Sequence, residues 1–496
     1  MRRRLCARSL QHTARRRVAL VTSALTLSVS LCAAHLRSSA DDGCAQFFPA
    51  FSVPSHCSRP QLRGGHLVSS GGYVSKPSQL GRPSSSDADA EVVADVASEA
   101  EVSTPPLQAS ANLAKNIVGS GMLSLPAGIA AFASGPNAIL PAILTLVLPL
   151  GLLSAYTFYL VGWICEQTGT QSYGEAWSKT LGEKSGSLIT LVVLLSCATG
   201  CVAYAMILGD TLYLLLKPLT SAAIASRSSI ISLITIFILY PLSRLKNLAP
   251  LGKFSLVGTF GSVFVALFTA IRFFQGSYAP GGRFASSVAK AAAGTASKSP
   301  VDALILASIL STAFIAHFNS PRMYKELETP AKGTSKLQRF SQVVLSGFSV
   351  AMVLYSMVMA FGFLTFGNSC LGNVLDNYAA ADPLAGVAKA AVAISLLFGH
   401  PLQFLAYRDG VEGLSGMSGQ LLSAGLLASC TILAILLRDL GKLQALQGAI
   451  GGTFLVFIGP SVMAAKLTRG RARARHLLVA GLGVALGMAG VWVTLR

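Results

Sequence analysis

The run NLAKNIVGSGMLSLP, residues 112–126, is an apolar helical stretch interrupted at its centre by Gly119-Ser120-Gly121. Lipid offers no hydrogen bonds, so backbone N–H and C=O groups freed at that depth must line a protein-walled cavity. The half-helix ends so created carry partial charges suited to a small charged solute. The competing reading is a packing patch, because glycine and serine also let two helices approach closely. A second interrupted stretch, TAFIAHFNSPRMYKEL at 312–327, favours the site reading.

The 496 residues are 52% hydrophobic and 12% charged, about half the charge of a soluble domain. The apolar residues come in blocks at 109–133 (broken), 138–163, 186–216, 228–243, 252–275, 301–328 (broken), 338–366, 383–406, 417–437, 441–466 and 477–495. Most are long enough for a bilayer of about 30 Å. An all-α integral membrane protein of about eleven helices is expected, with the lipid bilayer as its principal partner.

A net charge of +19 invites a nucleic-acid reading, and the placement of the charges argues against it. With the residues before the first helix in the cytosol, the cytosolic loops hold 16 Lys or Arg and the opposite loops and C-terminal end hold 9. That is the positive-inside asymmetry of a membrane protein, weakened only by the basic 276–300 loop. The arginine-rich run at 469–475 then reads as a loop that anchors topology. The nine cysteines show no disulfide spacing and no metal cluster, so neither metal nor organic cofactor is expected.

Residues 1–108 read as a targeting leader and disordered tail. Arg-rich MRRRLCARSLQHTARRR precedes the apolar VALVTSALTLSVSLCAA, the pattern of a signal peptide. Residues 45–86 are rich in Ser, Pro, Gly and Arg and lack acidic residues, as transit peptides do, and an acidic tether follows at 87–101. Such an order resembles the bipartite leaders of algae with complex plastids. A disordered cytosolic tail or an uncleaved signal anchor is the alternative. The destination stays open between plastid, vacuole or endomembrane, and plasma membrane.

The breaks fall in helices 1 and 6, five apart, the layout of two inverted repeats at about 109–275 and 301–466 with an extra helix at 477–495. NIVGSGMLSLPAG resembles the first-helix signature of the amino acid/auxin permease family, eukaryotic amino acid transporters. FIAHFNSPRMYKEL resembles its sixth helix, and CVAYAMILGDTL, Tyr355 with GFLTFG, Pro401 with Arg408, and RDLGKLQALQGAIGGTFLVFIGP resemble its third, seventh, eighth and ninth-to-tenth regions. The resemblance spans roughly 109–466. It implies a fold similar to the bacterial leucine transporter, and no enzymatic activity.

In that fold helices 1 and 6 would hold the substrate's amino and carboxylate groups. The N–H groups of Gly119, Ser120, Gly121 and Met122 would face a carboxylate, and carbonyls around Ile117, Phe314 and Ala316 an ammonium, with Phe318 and Tyr204 nearby. A β-branched residue at Gly121 would fill the site and resist unwinding. Ionisable or polar groups at depth are functional candidates: Lys115 as a fixed cation or a snorkelling side chain, His317 as a proton carrier or a buried hydrogen-bonding group, and Ser395 as part of an ion site. Asp210 reads as a cap or ion-pair partner.

The expected activity is secondary transport of a small amino acid, neutral by preference, through alternating access and with H+ favoured over Na+ as coupling ion. No Walker-type phosphate loop occurs. The alternative is a non-transporting amino acid sensor of the same fold. A channel is disfavoured, since no repeated filter motif appears. Oligomeric state is not legible.

Overall fold

The computed structural model describes residues 104–216, 226–244, 249–285, 298–329 and 335–496; of the leader and disordered tail expected at 1–108, residues 1–103 lie outside them, whereas Thr104 is paired with Leu327 and the first helix already begins at Pro106. Helix α1 has two halves, α1a Pro106–Ile117 and α1b Leu125–Phe132, and so has α6, with α6a Ala303–Ala313 and α6b Ser320–Glu326. The others are α2 Pro136–Thr168, α3 Gly186–Leu216, α4 Arg227–Ser243, α5 Ala249–Phe274, α7 Lys336–Phe366, α8 Pro383–Ser415, α9 Gln420–Leu436, α10 Leu440–Leu467 and α11 Gly470–Leu495. A short helix, Tyr173–Leu181, joins α2 to α3. Among the described residues, seven helices are long and apolar enough to cross a membrane, and the only β pairing is one isolated bridge.

Local chemistry sets the boundaries. Ser335 and Asp382 cap α7 and α8 by accepting backbone N–H bonds. Gly169, at φ +65°, ends α2 in the left-handed conformation that glycine adopts freely. Wide π-turns at Ile143–Val147, Thr235–Leu239 and Phe454–Ile458 each precede a proline, Pro149, Pro241 and Pro460, whose missing N–H breaks the regular ladder. Two expectations need correction. The basic run at 469–475 is the first turn and a half of α11 rather than a loop, and α8 continues nine residues past 406, to Ser415. Both segments are polar, so hydropathy ended the helices early, whereas backbone hydrogen bonding carries them beyond the apolar core.

Packing places the broken helices at the centre. Helix α8 lies between α3 and α5, α1a packs on α7, and α6a packs on α1b, α10 and α11. Glycines make the last contact close. A Cβ at Gly448 of α10 would overlap the Ser308 carbonyl of α6a, and one at Gly490 of α11 would overlap the Ser308 side chain. Helix α11 therefore braces the broken helix directly.

The two faces differ. Where α1a begins, Thr104 pairs in parallel with the end of α6b, its N–H on the Glu326 carbonyl at 2.8 Å and its carbonyl on the Glu328 N–H at 3.1 Å. We call this the proximal face. At the distal face the α7–α8 loop is fastened over the core, with Ser124 Oγ donating to the Gly372 carbonyl at 2.7 Å. Arg272 and Tyr278 hold Asp382 at the start of α8, through bonds of 2.9 Å each to Oδ2. Burial alone would raise the Asp382 carboxyl, yet Arg272, Tyr278 and the Ala385 N–H hold it below the usual range. Asp210 pairs with Arg227, which also reaches the carbonyls that end α9.

Candidate substrate site at the two helix breaks

Between α1a and α1b the chain runs extended through Val118 and Gly119, then tightens into a 3₁₀ turn, Ser120–Ser124. Between α6a and α6b, Phe314 to Ala316 leave the helix and a 3₁₀ turn, His317–Asn319, leads into Pro321. Both breaks fall where expected. They are joined by Tyr355 of α7, fully buried, whose hydroxyl lies 2.8 Å from the Ile117 carbonyl and 2.7 Å from the Ala313 carbonyl. Those carbonyls end α1a and α6a, so one phenol, with a single O–H shared between them, ties the two exposed helix ends together.

A cavity of about 650 Å³ opens beside the breaks. Thr104, Arg322, Glu326 and Ala406 line it towards the proximal face, and Lys115, Gly119, Ser120, Met122, Phe318, Tyr204 and Ser395 line its interior. A deeper pocket of about 130 Å³ continues from it and adds Ile117, Gly121, Thr312, Gln444 and Gln447. The amides of Ser120 and Gly121 precede the first hydrogen-bonded turn, leaving them available to an anion. The Met122 N–H is already taken, bonded to the Gly119 carbonyl at 3.3 Å. At the mouth Arg322 and Glu326 pair with each other at 2.6 Å. Lys115 lines the cavity and has no ion pair among the described residues.

Three expected site residues stand away from the cavity. Phe314 and Ala316 are fully buried, the Phe314 ring lying against Phe348 and Tyr355. His317 is fully buried towards α2, its Nε2 3.0 Å from Thr157 Oγ1 and 3.1 Å from the Ser154 carbonyl. A carbonyl only accepts, so Nε2 carries the hydrogen and the imidazole bolts the turn at the α6 break to α2. Phe158 of α2 packs edge-on against the His317 ring, and Phe348 and Tyr355 of α7 hold Phe314. Gly121 also has a packing role. A Cβ on it would come within 2.9 Å of the Ala313 Cα, so this glycine permits the crossing of α1 and α6.

The sequence reading missed four groups. Gln444 and Gln447 line the deeper pocket from α10, Asn116 and Gln403 line both cavities, and Tyr355 was noted only for its resemblance. Two amides three residues apart in an otherwise apolar helix were the available signal.

The family described as "Transmembrane amino acid transporter protein" matches residues 103–495. The chain belongs to this family. It is 25% identical to "Putative sodium-coupled neutral amino acid transporter 11" of Danio rerio, over 76% of this chain and 82% of that protein. It is also 25% identical to "Vacuolar amino acid transporter 2" of Saccharomyces cerevisiae, over 75% of this chain and 79% of that protein. Among solved structures, "Inward facing conformation of Mhp1" is similar at a TM-score of 0.52 and 12% identity, covering 79% of this chain and 92% of that one. That likeness shows the leucine-transporter-like fold, as the paired breaks led us to expect. The resemblance read from the first- and sixth-helix motifs is borne out: this is a multi-pass membrane protein of an amino acid transporter family, not an enzyme.

Proposed function

We propose that the chain moves neutral amino acids across its membrane as a secondary active symporter, by alternating access, with protons favoured over sodium. The observation that carries the ion preference is Lys115, which lines the cavity and has no ion pair among the described residues. Ser395 of α8 lines the same cavity. An ammonium fixed there supplies a positive charge, and a second cation beside it would be repelled strongly at low dielectric. The substrate carboxylate would lie between Lys115 and the free amides of Ser120 and Gly121, with the ammonium towards the Ile117 carbonyl. Phe318 and Tyr204 would wall the site; Phe314, Ala316 and His317 would support it from behind.

In this reading, the units 109–275 and 301–466 are inverted repeats that move against each other, 477–495 braces them, and 1–108 directs the protein to its membrane. The name of the yeast relative supports an endomembrane, and the leader composition a plastid; imaging of the full chain tagged at its C-terminus separates these. The ion preference is tested in proteoliposomes. Uptake of labelled alanine should respond to an imposed pH gradient and stay the same when potassium replaces sodium. Sodium dependence with an unchanged pH response would overturn it.

A further inference from the structure

Residues 466–475, across the junction of α10 and α11, hold five basic side chains, and no Asp or Glu follows Asp439 in the chain. None of the five lines either cavity. Lys466, Arg469, Arg471 and Arg473 are exposed and form no ion pair among the described residues. The short helix packed on the end of α10 carries Glu175, but that carboxylate already accepts the Gln171 N–H at 3.0 Å. Four cations are thus held out on the proximal face with no partner within the protein.

Packing fixes the rotation of α11, so these charges stay where they are. Its buried side runs through Ala472, His476, Val479, Gly483, Gly487 and Gly490, one residue every three or four, and lies on α10 and α6a. A Cβ on Gly483 would come within 2.9 Å of the Phe457 Cβ, and one on Gly487 within 2.8 Å of the Ala449 carbonyl oxygen, so the helix backbone rests directly on its neighbours. On the opposite side Arg471 stands in line with Leu478 and Leu482, seven and eleven residues on, which are 73% and 46% exposed. Length then sets depth. The 26 residues of α11 reach ~39 Å at about 1.5 Å each, against about 30 Å of hydrocarbon. With the apolar stretch 477–495 filling the hydrocarbon, 470–475 stands in the headgroup layer.

We propose that Lys466, Arg469, Arg471 and Arg473 bind the phosphate headgroups of anionic phospholipids in the proximal leaflet, with an acyl chain laid along Leu478 and Leu482. A nucleic acid or an acidic protein would meet the charges but not the leucines beneath them; a phospholipid meets both, and guanidinium groups suit phosphate oxygens in paired hydrogen bonds. The bound lipid also steadies the broken helix. Helix α11 touches Ser308 of α6a at Gly490, and its far end, Arg496, pairs with Asp302 just before α6a begins.

The test titrates the full chain, purified in a non-ionic detergent, with dioleoylphosphatidylglycerol or dioleoylphosphatidylcholine and follows its melting temperature. A basic group beside an anionic surface is worth about fivefold in affinity, so the anionic lipid should reach its midpoint at a concentration at least about tenfold lower. The triple variant Arg469→Gln, Arg471→Gln, Arg473→Gln should bring the two midpoints within about threefold of each other. Lys442→Gln, at the distal start of α10, should leave them as they were. If the triple variant does not fold, Arg471→Gln alone decides, with an anionic midpoint about threefold higher or more expected and an unchanged one refuting the site. Equal midpoints in the unaltered chain, or a preference that survives the triple variant, overturn the proposal. Stabilisation by inorganic phosphate at the same concentration as the lipid overturns it too, in favour of a soluble anion.

Discussion

Two glycines two residues apart should fail in opposite ways. At Gly121 an added Cβ would lie 2.9 Å from the Cα, 3.0 Å from the Cβ and 3.3 Å from the N of Ala313. Two of these atoms are backbone, and neither can rotate aside. Ordinary carbon contacts need about 3.5–4.0 Å, so Gly121→Ala must push the α1 break off α6a by roughly half an ångström or more. Overpacking of this kind costs about 1–3 kcal/mol, which should lower the melting temperature in detergent by a few degrees. At Gly119 the nearest atom to an added Cβ is the Ile117 carbonyl oxygen at 3.9 Å, and the backbone is extended at φ −128°. Gly119→Ala should therefore melt no lower than the unaltered protein, while its methyl intrudes on the cavity wall and cuts amino acid uptake at least fivefold. The pair is read by thermal unfolding and by uptake in proteoliposomes. If Gly121→Ala melts normally, or if Gly119→Ala loses stability while keeping uptake, the geometry assigned to the break is wrong.

Three further substitutions follow from the same contacts. Tyr355→Phe leaves the Ile117 and Ala313 carbonyls without their shared donor, a loss of about 1–3 kcal/mol, and should slow uptake several-fold without preventing insertion; normal uptake kinetics would refute the clamp. Lys115→Asn should impair transport or create a sodium requirement, and unchanged uptake in both sodium and potassium would mean the lysine only snorkels. In the α7–α8 loop, burial pushes Asp376 up to about 7, with Asp210 adding to the rise against the pull of Lys389, the Asn373 amide and Arg227. A carboxyl raised in the folded state binds more protons there than when unfolded, so its contribution to stability falls as pH climbs from about 4 to about 7 and is flat above. The thermal advantage of Asp376→Asn should grow over that window and then level off; an advantage independent of pH would contradict the assignment.

The breaks were legible because glycine, serine and proline interrupt stretches that otherwise have no reason to stop. The same run of residues did not reveal which way the backbone turns after leaving the helix. His317 could face the cavity or α2 with the same neighbours in sequence, and only Thr157 and Ser154, on a helix 160 residues away in the chain, settle it. Gly121 was recognisable as necessary, but its partner is Ala313 of the other broken helix, a contact no local pattern encodes. Gln444 and Gln447 were overlooked because α10 was weighed by its mean hydropathy, and two amides change that mean little. The arginines at 469–475 misled for the converse reason: charge ends a hydrophobic block without ending a helix.

The central claim is that the cavity at the two breaks carries an amino acid across the membrane. Counterflow tests it without assuming any coupling ion. Proteoliposomes loaded with millimolar unlabelled alanine and diluted into trace labelled alanine should accumulate label transiently and saturably, and Gly119→Ala should abolish the overshoot while leaving the protein folded. Saturable binding of alanine to the purified protein with no accumulation in vesicles would contradict transport and point to a sensor.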